Sequence, residues 1–124
     1  MIFLDTHVAA WLFAGDLKLL SPKGQERLAK DDLWISPMVG LELQFLYEIG
    51  RTTRPASEVL RFLQKRLAVA VCHVPFSQVV TEACVLEWTR DPFDRLIVAH
   101  AKLHEAALLT KDRSILEHYP AAIW

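Results

Sequence analysis

Short apolar runs alternate with longer amphipathic stretches along the chain. Ile2 to Leu4, Leu33 to Ile35, Val69 to Val74 and Ala106 to Leu109 have the length and bounded character of strands, and Ala122 to Trp124 predicts a short terminal edge. The intervening stretches carry helix start signals. Ser21-Pro22, Ser36-Pro37 and Asp91-Pro92 each pair an N-cap residue with proline at the first helical position, where its missing N–H costs nothing. Gly50 is placed to close the helix that starts at Pro37. Apolar spacing gives one stripe at Met38, Leu41, Phe45, Leu46 and Ile49, a second at Val59, Leu60, Leu63 and Leu67, and a third at Phe93, Leu96, Ile97, His100 and Ala101. Two further helices carry Val8 to Phe13 and Arg113 to Glu117. This alternation predicts an α/β fold, a three-layer α/β/α sandwich around a central, mainly parallel sheet of four to five strands. With no repeat, linker or low-complexity tract, residues 1–124 read as a single domain.

Composition adds that 52% of residues are hydrophobic, with four Trp and six Phe, more apolar area than a small soluble domain needs for its own core. Part of that surface is expected to meet another chain. The longest uncharged apolar stretch near the start, Val8 to Ala14, is far short of a bilayer span, and no basic segment precedes it. Neither a signal peptide nor a membrane segment is expected. Cys72 and Cys84 have no metal-ligand spacing and make no disulfide framework, which points to a reducing, cytoplasmic setting.

Four acids change the picture. Asp5, Glu42, Asp94 and Asp112 each follow an apolar run closely or sit early in the helix after one. In an open parallel sheet those positions share one edge, the edge at which such folds bind ligands. Two carboxylates about 4 Å apart repel by about 4 kcal/mol at a surface-like effective dielectric, so a cluster of them calls for a cation. Each acid also has a plainer reading. Asp5 and Asp112 can serve as N-caps, Asp94 is a first-turn acid favoured by the helix dipole, and Asp91 is assigned mainly to capping because Pro92 follows it. Glu42 lies between Leu41 and Leu43 in the most apolar helix, where a merely solvated glutamate is less expected. The joint arrangement is more specific than any member.

Carboxylate oxygens are hard donors suited to Mg²⁺ or Mn²⁺, and such an ion completes its shell with water and substrate phosphate. The chemistry suggested is metal-assisted phosphodiester hydrolysis. The net charge of −1 argues against a generic nucleic-acid binder. Setting aside the four acids and Asp91, however, leaves ten acids against fourteen Lys and Arg, an acidic site in a mildly basic surround that suits a polyanion.

Among the basic residues, Arg54, Glu58, Arg61 and Lys65 recur at helical spacing, the pattern of an ordinary solvated face. Arg51 and Arg54 flank a loop at the far end of the Glu42 helix and are candidate RNA-phosphate or partner contacts. Arg95 adjoins Asp94 and is placed to meet a phosphate or a site carboxylate. His7 is two residues from Asp5 and within approach of the site, but neighbours two apart on a helix point in different directions, and His100 reads as a packed histidine with a hydrogen-bond partner; neither is assigned catalysis. Trp11, Leu12 and Phe13 read as core, with at least one available to a partner surface.

Asp5-Thr6 after an N-terminal strand, Glu42 in a Ser36-Pro37-initiated helix, the run from Asp91 to Ala99, and Thr110-Lys111-Asp112 after a strand resemble PIN-domain ribonucleases, in particular the VapC-type toxins of type II toxin–antitoxin pairs. The resemblance spans nearly the whole chain. It implies a PIN-like fold and a Mg²⁺- or Mn²⁺-dependent endoribonuclease acting on structured RNA such as tRNA. It implies Asp5, Glu42, Asp94 and Asp112 as the acidic set, with Thr110 bonded to an acid or a water. Lys111 is given no role. Together with the apolar fraction, the resemblance implies a small cognate antitoxin and a homodimer. The non-enzymatic alternative is an RNA-binding or adaptor module on the same fold. A phospho-receiver domain would need an acceptor Asp where this chain has His73, Val74 and Pro75, and a haloacid-type phosphatase would need a second Asp where it has His7.

Overall fold

The computed structural model describes all 124 residues. Strands β1 (Ile2–Leu4), β2 (Leu33–Ile35), β3 (Ala70–Val71), β4 (Ala107–Leu109) and β5 (Ala122–Ile123) form one parallel sheet in the order β3-β2-β1-β4-β5. Helices α1 (Thr6–Ala14), α2 (Pro22–Lys30), α3 (Pro37–Glu48), α4 (Ala56–Leu67), α5 (Phe76–Cys84), α6 (Pro92–Leu103) and α7 (Arg113–His118) connect them, with one 3₁₀ turn at Leu17–Leu19. From β1 the chain moves outward through β2 to β3, then returns to the other side of β1 to lay down β4 and β5. Right-handed crossovers in opposite directions put helices on opposite faces, which gives the three expected layers.

The local signals explain the helix starts. Ser21, Ser36 and Asp91 cap α2, α3 and α6, each followed by proline, and Ser36 Oγ accepts from the Met38 N–H at 3.0 Å. Gly50 follows α3 with φ 79, a left-handed conformation cheap for glycine, and its N–H donates to the Tyr47 carbonyl at 3.0 Å. By contrast, α5 has Pro75 at its N-cap position and no side-chain cap, so the sequence announces it poorly.

The run Val69 to Val74 yields only two strand residues. β3 is an edge, paired on one side through Trp34↔Ala70 and Ile35↔Val71, and Pro75 soon turns the chain into α5. The α3 stripe also needs correction. The residues that α3 buries fully are Val39 and Leu43, while Leu41 (57%), Phe45 (47%) and Ile49 (52%) stay exposed. A helix apolar on several sides cannot reveal from periodicity which side turns inward. Here packing against α1, α4 and α6 decides it. Residues Leu96 to Ala101 of α6 are all buried, including His100, whose Nδ1 lies 2.9 Å from Ser36 Oγ and 3.0 Å from the Leu96 carbonyl. No helix is long and apolar enough to cross a membrane.

Candidate active site

The order in which the chain lays down strands reverses between β1 and β4, and the loops leaving those two parallel strands diverge there to leave a crevice. Asp5 directly follows β1 and caps α1, its Oδ1 accepting the Thr6 N–H at 2.7 Å. Its N–H donates to the Leu109 carbonyl at 3.1 Å, tying it to the end of β4. Across the crevice, the buried Thr110 hydroxyl donates to Asp5 Oδ2 and accepts the Asp112 N–H at 3.0 Å. Asp112 Oδ1 in turn accepts the Ile115 N–H at 2.9 Å and caps α7. Capping and clustering are therefore not rival readings of Asp5 and Asp112. The capping bonds hold both carboxylates still at the crevice.

Glu42, from the second turn of α3, and Asp94, from the first turn of α6, enter from two further elements. Asp91 caps α6 as expected, its Oδ1 accepting from the N–H groups of Phe93 at 2.8 Å and Asp94 at 3.3 Å. All five acids line one cavity of about 360 Å³, together with His7, Trp11 and Lys111. The four ion pairs of the structure, Arg27–Asp31, Lys30–Glu26, Arg54–Glu58 and Lys102–Glu82, all lie elsewhere, so none of the five has a cationic partner.

Burial and the gathered charge together shift these carboxyls. Burial, reinforced by Asp91, Asp112, Asp5 and Glu42, pushes the Asp94 carboxyl up to about 7. Burial raises Asp5 as well, opposed by the bonds from Thr110 and the Thr6 N–H and by nearby His7. Glu42 is raised by burial and by its acidic neighbours, while the Thr6 hydroxyl and His7 pull it back. The Thr6 hydroxyl is buried without a hydrogen bond of good geometry, so its pull on Glu42 is one of proximity. Every acidic donor is a hard oxygen, and the cavity carries uncompensated negative charge, which fits a divalent cation that keeps part of its own water shell. No three of the His, Cys, Asp and Glu side chains converge into a ready-made coordination shell.

Arg95 does not join the cavity. One residue on from Asp94, it is rotated about 100° around the helix, and its Nε donates to the Thr89 carbonyl at 2.7 Å. Arg51 and Arg54 line a neighbouring groove of about 480 Å³ with Ala10, Phe13, Leu46 and Val59. His7 and Trp11 form a wall common to groove and cavity. Sequence reasoning missed Trp11 and Lys111 at the acidic cavity, and it gave no role to His7, which lines the cavity. The available signal was the spacing of four between His7 and Trp11, one face of a helix that begins right after Asp5.

A PIN-domain family model matches residues 2–120. Ribonuclease VapC22 of Mycobacterium tuberculosis (strain ATCC 25618 / H37Rv) is 34% identical over 129 aligned residues, spanning 99% of this chain and 98% of its own length. Among solved structures, VapBC2 of Rickettsia felis bound to a promoter DNA fragment contains a chain with TM-score 0.65 and 17% identity, matched over 100% of this chain and 98% of that one. A toxin–antitoxin complex of Klebsiella pneumoniae contains another with TM-score 0.66 and 16% identity, over 100% and 97%. The two structures share the fold, and the family model and the bacterial relative, both nearly full length, carry the assignment: the chain belongs to the PIN-domain family, in its VapC group.

Proposed function

We propose that this protein is a divalent-metal-dependent endoribonuclease, the toxin of a toxin–antitoxin pair, which hydrolyses phosphodiester bonds in structured RNA such as tRNA. The observation that carries the reading is the gathering of five acids at the switch point of a parallel sheet, none of them in an ion pair. The name of the relative VapC22 as a ribonuclease supports the substrate class. Asp5, Glu42, Asp94 and Asp112 would hold Mg²⁺ or Mn²⁺. When bound, such an ion lowers the pKa of an attacking water and offsets charge on the phosphate. Thr110 keeps Asp5 and the Asp112 backbone in register, and Asp91 holds the first turn of α6 so that Asp94 faces the cavity. Near neutral pH in metal-free protein, the Asp94 carboxyl is about half protonated. A cation competes with that proton, so its affinity rises with pH.

The same reading includes two partners. The groove between α1, α3 and α4 suits an antitoxin segment that lays apolar side chains against Phe13, Leu46 and Val59. Across the wall of His7 and Trp11 such a segment can send a basic side chain to the acids. The similar chain from Klebsiella pneumoniae comes from a toxin–antitoxin complex, which supports this. For the homodimer, support comes from the apolar face of Leu41, Phe45 and Ile49 and from Phe76, itself 67% exposed. Both cysteines are free thiols, in keeping with a cytoplasmic setting.

The test is incubation of purified protein with total tRNA with and without Mn²⁺ or Mg²⁺. Cleavage that needs the metal supports the proposal, and equal cleavage in excess EDTA refutes the metal dependence. Binding of RNA without cleavage under any metal would leave the adaptor reading.

A further inference from the structure

A cavity walled by five carboxylates repels the phosphates of any RNA, so productive binding needs positive charge and neutral contact area close by. Arg95 is turned to the backbone of residue 89, and Arg51 and Arg54 belong to the adjoining groove. Lys111 is the one Lys or Arg that lines the acidic cavity, and it forms none of the four ion pairs, although acids surround it. Its ammonium instead lies 5.9 Å from the centroid of the Trp124 ring, a cation–π distance. Trp124 meets Trp11 edge to face, with centroids 5.9 Å apart at 62°, and Trp11 in turn meets His7 at 6.1 Å. Lys111, Trp124, Trp11 and His7 thus make a continuous chain of contacts, of which Lys111, Trp11 and His7 line the cavity.

Trp11 is the single hydrophobic residue of the cavity lining. Core filling does not account for it fully. Val8, Ala9 and Leu12 carry the burial of α1, whereas Trp11 remains partly exposed beside charged groups. A flat, partly open indole next to acids and a free lysine has the makings of a single-strand nucleotide site, in which aromatic side chains stack splayed bases and Lys meets phosphate. At about 360 Å³ the cavity is at the small end for ligand sites, the size of about one nucleotide.

We propose that Trp11 stacks an unpaired base adjacent to the scissile phosphodiester while Lys111, braced on Trp124, contacts a flanking phosphate. The inference rests on the ribonuclease reading above. Its test uses an RNA hairpin that wild-type protein cuts at one loop site, remade with a single abasic nucleotide stepped through the positions on either side of the cut. In wild type, one abasic position lowers kcat/KM by about tenfold or more, the size of a lost base–aromatic stack. Trp11→Leu lowers kcat/KM on intact RNA by a similar factor and shows no further loss with that abasic RNA, whereas Trp11→Phe keeps most of the activity. Trp11→Met, whose flexible apolar side chain adapts to a gap without supplying a ring, carries the same comparison if Trp11→Leu melts too low to assay. Lys111→Met lowers the slope of log KM against log salt concentration by about one. Losses from Trp11→Leu and the abasic substitution that multiply at every position, or an unchanged salt slope in Lys111→Met, overturn the proposal. Failure of wild type to cut any RNA in any metal overturns instead the ribonuclease reading on which it stands.

Discussion

Replacing Asp94 by asparagine keeps the side chain's shape and removes the charge from a carboxylate that burial and four acidic neighbours disfavour. In the folded protein that group titrates at about 7, against an ordinary value of 3.8. Between those values the folded chain holds a proton that the unfolded chain has released. The folded state is therefore penalised more and more as pH rises, and fully so above 7. At about 1.4 kcal/mol per pH unit the ceiling is about 4 kcal/mol. The side chain is only half-buried and faces an open cavity, so solvent screening reduces this to about 1–2 kcal/mol. For a chain of 124 residues that corresponds to roughly 4–8 °C in melting temperature. Asp94→Asn is thus expected to melt higher than wild type at pH 8 in EDTA, with the gain shrinking towards zero by pH 4. The same variant should lose cleavage by at least the ~10–100-fold typical of disturbing a metal site, and Mn²⁺ should raise its melting temperature less than it raises that of wild type. Scanning calorimetry at three pH values and a cleavage assay on one RNA suffice. A pH-independent melting difference, or none at pH 8, refutes the electrostatic reasoning, and full activity removes Asp94 from the site.

Asp91 offers the contrast: Asp91→Asn keeps the cap and much of the activity, while Asp91→Ala lowers stability by about 0.5–2 kcal/mol, checked by the same melts. Thr110→Val strands Asp5 Oδ2 and the Asp112 N–H without their partner, and is expected to cost about 2–4 kcal/mol in denaturant titration along with most of the cleavage. Burial lowers the His100 pKa, so on acidification below about 6.5 the unfolded chain takes up a proton that the folded chain refuses, and stability falls until the folded value is reached. His100→Gln should flatten the melting temperature profile between pH 7 and 5. Leu41→Glu and Phe45→Glu, on exposed positions, should turn a dimer into a monomer by light scattering with the monomer's secondary structure intact by circular dichroism.

Much of the secondary structure was legible because its signals act over a few residues. Asp91 caps α6 through N–H groups two and three positions on, Ser36 caps α3 through Met38, and Asp112 caps α7 through Ile115. The five parallel strands and the layered arrangement follow from alternating periodicities together with the handedness of crossovers. The acids could be nominated in the same way, each from its place after a strand or at the start of a helix.

The chain's local chemistry thus determined the elements, their caps and the supply of hard oxygen donors. Only the tertiary structure decided what those donors meet. The bond from Thr110 to Asp5 spans 105 residues and exists because β4 pairs with β1, a choice that no segment makes alone. The outward turn of Leu41 and Phe45 depends on α1, α4 and α6 competing for the faces of one helix that is apolar on several sides. Arg95 is lost to the cavity through a rotation of one residue, and Lys111 enters it because β4 delivers it beside Trp124 at the end of β5. Capping bonds form within a turn of the chain and leave their mark in adjacent residues, whereas strand order and helix facing minimise the free energy of the whole packed core, so their outcome is distributed over residues far apart in sequence.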